Sequence, residues 1–124
     1  MATLKLFEYA VLRAIPRIER GEIVNVGVVL HSQDLDFLDA LVLLDENRLR
    51  CLDPGIDLAA VEQSFDACCR AARGEGPAGA TTKTQRFGWL TAPRSTVVQA
   101  GPVHIGLTAD APAELSRLLD CLVR

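Results

Sequence analysis

The sequence lacks any apolar run near the roughly 20 residues that span a bilayer, and residues 1–7 lack the charged start and apolar stretch of a signal peptide. Its four cysteines, Cys51, Cys68, Cys69 and Cys121, form no CxxC pair, and no histidine lies at ligand spacing from them. Zinc sites and redox motifs therefore have no support. We expect a reduced, cytoplasmic protein with no membrane segment, no metal and no cofactor.

Lysine is also scarce, because only Lys5 and Lys83 are lysines among the 13 basic residues. The formal net charge of −3 argues against a uniformly basic nucleic-acid binder, although a local basic patch is compatible with it. With 124 residues, 49% of them hydrophobic and 23% charged, the chain is long enough for one core. A single domain over residues 1–124 is expected.

Short apolar segments dominate the first half of the chain. Residues 4–15 alternate loosely and end at Pro16, and the brief polar loop that follows predicts an antiparallel hairpin with residues 22–30. Residues 37–44 predict a third strand, and residues 49–52 a short fourth one before a turn. Residues 97–98 and 103–108 are also typical of strands.

Two segments have helical periodicity instead. Asp57 is positioned to cap a helix whose apolar residues recur at three- and four-residue spacing up to Gly74, and Asp110 caps a second one. Residues 74–82, rich in Gly, Ala and Thr, predict a flexible loop. The expected fold is α+β: a mainly antiparallel sheet of about four to five strands with two amphipathic helices, in a two-layer sandwich.

The strand at residues 22–30 is interrupted by an amide and a missing side chain, Asn25 and Gly27. On a period of two these residues share one face, and the aliphatic residues Val24, Val26 and Val28 share the other. We expect the aliphatic face to pack under the helices, which leaves Asn25 and Gly27 open to a loop, ligand or partner.

The segment 86–96 holds the only tryptophan of the chain, and we expect a loop there. Arg86, Trp89, Arg94 and Ser95 combine guanidinium groups, an aromatic ring and a hydroxyl, a mixture suited to an anion or to a protein interface. The same segment is also compatible with a loop that its aromatic rings pin to the core and whose arginines are solvated.

A basic concavity would result if that loop folded onto the Asn25 face, beside Arg13 and the hairpin pair Arg20 and Glu22. His104 is one of only two histidines and could act as a general base, or it could be structural. No phosphate-binding loop, HExxH or G-x-S-x-G pattern is present, so no reaction is indicated. The candidate binding residues are therefore Arg13, Arg20, Glu22, Asn25, Gly27, Arg86, Trp89, Arg94, Ser95 and His104.

The pattern R-G-E-x-x-N-x-G-V, formed here by Arg20, Glu22, Asn25 and Gly27, with a later F-G-W-L and P-R-S, resembles the bacterial domain-of-unknown-function family 3037. The likeness covers nearly the whole chain. The family supplies no assigned activity, and the resemblance implies a genomic association with HipA-like kinases.

We therefore expect a non-catalytic accessory or regulatory module that binds another protein, with a HipA-like kinase as the implied partner. Two alternatives stay open. One is a protein or enzyme that binds an anion such as phosphate in an arginine-lined pocket, and the other is a nucleic-acid-binding module whose affinity depends strongly on salt.

Overall fold

The computed structural model of the protein describes residues 3–94 and 96–124. One antiparallel sheet contains all five strands, in the order β3–β2–β1, with the free edge of β1 shared by β4 and β5. The strands are β1 (Lys5–Ala14), β2 (Val24–Ser32), β3 (Phe37–Val42), β4 (Val98–Ala100) and β5 (His104–Thr108). β4 pairs with the end of β1 and β5 with its beginning, so the two behave as one interrupted edge strand.

Each described α-helix begins at a side chain that accepts a hydrogen bond from the backbone N–H three residues on, which satisfies one of the free N–H groups of the first turn. Asp57 and Asp110 do this as predicted. The helices are α1 (Glu46–Leu52), α2 (Leu58–Ala72), α3 (Lys83–Leu90) and α4 (Ala111–Leu122), with a short 3₁₀ helix (Gly76–Ala80) before α3. None in the described part of the chain is long and apolar enough to cross a bilayer.

The α+β class and the antiparallel sheet are confirmed, and the described residues form four α-helices where the sequence predicts two. The two predicted helices pack on opposite faces of the sheet. Phe65 of α2 is fully buried against one face with α1 and α3, whereas Leu115 of α4 packs with Val28 and Leu30 on the other. The sheet is therefore the middle of three layers, not one half of a two-layer sandwich.

Three predicted segments have a different secondary structure. Residues 49–52 belong to α1 because Asp45 caps that helix, Glu46 and Arg50 pair one turn apart, and the buried Leu49 faces the core. Residues 86–90 lie in α3, so the first part of the segment that was predicted as a loop is helical. Residues 74–82 contain the 3₁₀ helix.

A β-bulge in β2 changes the predicted faces of that strand. Leu12 of β1 lies opposite Gly27, but the next residue, Arg13, lies opposite Asn25. Val26 is therefore an extra residue in β2, with no partner of its own in β1. Gly27 is therefore buried on the α2 face, and Asn25 lies on the α4 face. The prediction that the two residues share an open face was wrong, because a bulge inverts the alternation that follows it.

Candidate functional site

The R-G-E-x-x-N-x-G-V stretch, residues 20–28, makes its contacts within the fold. Gly21 has a φ of 69°, a left-handed conformation that glycine adopts without strain, and it closes the β1–β2 hairpin. Beside it, the Arg20 guanidinium donates to the Glu22 carboxylate. Both side chains are exposed, so this ion pair contributes little to stability.

Asn25 and Gly27 also have structural contacts. Asn25 Nδ2 donates to the carbonyl oxygen of Leu122 at 3.1 Å, which satisfies a free carbonyl in the last turn of α4. A Cβ at Gly27 would lie 2.5 Å from the carbonyl oxygen of Leu41, too close for any side chain. These two positions therefore hold β2 against α4 and β3.

Arg13 lies on the α4 face of the sheet, because its neighbours Leu12 and Ala14 point into the core on the α2 face. Its guanidinium covers Gly101, where an added Cβ would come within 2.8 Å of the Arg13 Cζ atom. The Arg13 Nε is buried and has no hydrogen-bond partner among the described residues. The side chain thus packs over the junction between β4 and β5.

The exposed aromatic of α3 is held by the chain that follows it. Trp89 is 59% exposed, and the Arg94 Cζ atom stacks 4.7 Å from the centre of its ring. Arg94 Nη2 also donates to the Trp89 carbonyl oxygen at 2.7 Å. A large apolar surface is therefore presented to solvent in a fixed orientation.

Arg86 joins α3 to the segment before it. Its Nη1 donates to the Thr81 carbonyl oxygen at 2.8 Å, and its guanidinium packs 3.4 Å from the position of a Cβ on Gly74. Gly74 has a φ of 77°. The contact ties the end of α2, the 3₁₀ helix and α3 together.

These elements enclose a groove of about 720 Å³, which we call the Trp89 groove. Five of its lining residues are small and apolar, five are charged or polar, and the indole of Trp89 completes the wall. The lining residues are Ala67, Arg70, Ala71, Glu75, Gly76, Pro77, Ala78, Thr81, Gln85, Arg86 and Trp89.

A smaller polar cavity of about 310 Å³ lies at the N-terminus of α3. Lys83 Nζ pairs there with Asp36 Oδ1 at 2.9 Å, and Arg86 lines the cavity from the other side. His31, only 4% exposed, stacks on Phe87 with a ring separation of 5.3 Å. Its Nδ1 lies 3.5 Å from Glu8 Oε1 and makes no hydrogen bond to a described residue.

The structure separates the arginines that the sequence grouped. Arg86 and Arg94 lie with α3 on one side of the sheet, Arg13 lies on the other, and Arg20 lies at the hairpin turn. The predicted four-arginine concavity is absent from the described residues, because Arg13 alternates with residues that pack under α2. Ser95 lies outside the described residues.

His104 is also remote from α3. It is exposed on β5, and its ring lies 5.2 Å from that of Tyr9 on the α4 face, with the two ring planes tilted by 32°. In the described part of the chain, no three His, Cys, Asp or Glu side chains come together to hold a metal ion.

Sequence reasoning missed the groove because it treated α3 as a loop. A signal was present: Thr82 and Gln85 have the spacing of a capping box, in which each side chain bonds to the backbone of the other residue, and the structure contains both bonds. The walls of the groove come from three separate elements, so no single motif marks it.

No curated protein and no solved structure matches the chain. One family model matches, over residues 9–123, and its description is Protein of unknown function (DUF3037). The match covers nearly the whole chain and agrees with the family that the sequence resembles. The chain therefore belongs to the DUF3037 family.

Proposed function

We propose that the protein is a non-catalytic module that binds another protein through the Trp89 groove. The observation that carries this proposal is an exposed tryptophan, held in place by Arg94, that lines a groove with a partly apolar wall of small residues. Tryptophan and arginine are enriched among the residues that dominate binding energy at protein interfaces. Because Arg94 already restrains the indole, a partner that binds there loses little free energy to ordering the Trp89 side chain.

The charges around the groove define the partner further. Arg70 and Arg86 line it, Arg94 lies on the Trp89 ring, and Glu75 is the only carboxylate among the described residues of the lining. Arg70 is partly neutralised by Asp66, 3.2 Å away. The complementary ligand is a segment with an apolar anchor residue next to acidic residues, in a helical or extended conformation.

A HipA-like kinase, implied by the family resemblance, is the first partner to test. The bacterial cytoplasm is the proposed location. All four cysteines are free thiols, a state that suits a reducing compartment.

The test is calorimetric titration of the kinase with the wild-type chain and with Trp89→Ala. Loss of a central interface tryptophan costs at least about 2 kcal/mol, so we expect an affinity roughly 30-fold weaker. The matched control is Ile18→Ala, which truncates another half-exposed apolar side chain in the distant β1–β2 loop and should leave the affinity unchanged. Equal affinities for Trp89→Ala and wild type would contradict the proposal.

An anion-binding function is the second candidate, supported by the polar cavity at the N-terminus of α3. Arg86, Lys83 and the first N–H groups of α3 provide positive potential there, and the buried His31 Nδ1 lacks a hydrogen bond to any described residue. Inorganic phosphate should then raise the unfolding temperature of the wild type but not that of Lys83→Gln. An equal response of both proteins would remove this candidate.

A further inference from the structure

The two outer edges of the sheet differ in how well they are protected against pairing with another chain. β3 carries a charged residue in its middle, Asp39, which pairs with Arg73 of the α2 C-terminus at 3.0 Å. Arg73 Nη2 also donates to the carbonyl oxygen of Ala40 at 3.4 Å. Charged side chains and covered backbone groups are the usual protection of an edge strand against pairing with another chain.

Among the described residues, the opposite edge, at β5, shows neither of these protections. Among the described residues β5 pairs with β1 alone, so one row of its backbone N–H and C=O groups has no strand beside it. The strand sequence H-I-G-L-T contains no residue of fixed charge and no proline. It is therefore open to the addition of another strand.

An apolar surface runs along this open edge. The register places Leu6 opposite Leu107 and Glu8 opposite Ile105, so these aliphatic residues share one face. Ile105 is 67% exposed, Leu107 60% and Leu6 50%, and the exposed Leu4 and Val103 follow the same alternation. These five residues, which we call the β5 patch, are most of the large hydrophobic residues exposed in the described chain.

The other face of β5 is already occupied. The Phe7 ring lies over Gly106, where a Cβ would come within 2.6 Å of the Phe7 Cζ atom, and Tyr9 stacks on His104. The exposed apolar surface of β5 therefore lies only on the face of the strand that carries the β5 patch, among the described residues.

We propose that a second copy of this chain pairs antiparallel with β5 and covers the β5 patch. A two-fold axis at Ile105 would set Val103 of one copy opposite Leu107 of the other, so the same apolar face meets itself, as an isologous interface requires. The two five-stranded sheets would then form one continuous sheet across the dimer.

The size of the patch sets the strength of this dimer. The five side chains leave roughly 250–300 Å² of apolar surface exposed in each copy, taking about 100 Å² for a fully exposed aliphatic side chain. Two copies thus supply about half of the roughly 1,000 Å² of a specific interface, and the strand backbones and flanking residues supply the rest. We expect a reversible dimer with a dissociation constant in the micromolar range.

The test is sedimentation equilibrium of the full chain from low micromolar to millimolar concentration. The wild type should pass from monomer to dimer over this range. Ile105→Lys places a charge at the centre of the patch and should raise the dissociation constant of the dimer at least tenfold. Because Ile105 is exposed, this variant should keep the fold. Ile18→Lys is the matched control, with a half-exposed isoleucine in the β1–β2 loop, and should dimerise as the wild type does.

Amide hydrogen exchange of the wild type gives a second measurement that needs no variant. Protection of β5 amides should increase with protein concentration, while that of β3 amides should not. A wild type that is monomeric at every concentration would overturn the proposal, as would a dimer that Ile105→Lys leaves intact.

Discussion

Replacing Gly27 with alanine adds one methyl group where the sheet has no room for it. The new Cβ would lie 2.5 Å from the carbonyl oxygen of Leu41, 2.9 Å from Val42 Cγ2 and 3.2 Å from Val42 Cα. Two of these atoms belong to the backbone of β3, which no rotamer change can move. Relief of the clash therefore requires β2 and β3 to separate, which strains the central pairing of the sheet.

The expected loss of stability follows from two opposing effects. Forcing an extra methyl group into a packed site costs about 1–3 kcal/mol, and a clash with backbone lies toward the upper end. Alanine recovers roughly 0.5–1 kcal/mol relative to glycine in a strand, because it has less conformational freedom to lose. The net effect is a free energy of unfolding about 2 kcal/mol lower, or a Tm roughly 8 °C lower at ~4 °C per kcal/mol.

Urea unfolding followed by circular dichroism measures this change. Gly88→Ala is the matched control, because Gly88 lies in α3 with nothing within 4 Å of its added Cβ. Alanine favours a helix over glycine by up to about 1 kcal/mol, so this variant should be more stable than the wild type. If Gly27→Ala were as stable as the wild type, the close approach of β2 and β3 at Gly27 would be refuted.

Three further predictions concern the other structural contacts. Asn25→Ala removes the hydrogen bond to the Leu122 carbonyl and should lower the free energy of unfolding by about 0.5–1 kcal/mol. Amide hydrogen exchange at the end of α4 should become faster, and an unchanged exchange rate there would contradict the contact. Iodoacetamide should alkylate the exposed Cys51 and Cys121 well before the two buried thiols of α2, and four equal rates would show that α2 is not packed as described. Burial raises the pKa of the Cys69 thiol to about 11 from a value of 9.0, so the unfolded chain loses this proton at lower pH than the folded one. The free energy of unfolding should therefore fall by about 2 kcal/mol as pH rises from roughly 9 to 11. The Cys69→Ala variant should lose less over the same pH range, and an equal loss in both proteins would contradict the assignment to Cys69.

The sequence was sufficient for elements whose signals are local. Asp57 and Asp110 each precede an apolar stripe at helical spacing, and both cap helices where predicted. The first three strands have bounds close to the predicted ones, because turn residues and charged loops interrupt the apolar runs. Both α1 and α3 were missed, since each is short, and Gly88 lowers the helix propensity of α3.

Features that depend on two distant segments could not be predicted in this way. The bulge at Val26 is defined by the pairing of β2 with β1, and the alternation within β2 alone contains no trace of it. An apolar stripe shows that a helix packs but not on which face, so α4 was expected on the same side as α2. The candidate site was affected most: Arg86, Trp89 and Arg94 lie together on the α3 side of the sheet, whereas Arg13 and Asn25, which the sequence grouped with them, lie on the α4 face.

The most direct test of protein binding through the Trp89 groove uses the fact that the chain has one tryptophan. Incorporation of 5-fluorotryptophan places a single fluorine signal at Trp89, and the HipA-like kinase is then titrated into the labelled chain while fluorine NMR is recorded. Binding through the groove predicts that this signal shifts or broadens and reaches saturation together with complex formation. A complex that forms while the signal stays unchanged would show that the kinase binds elsewhere.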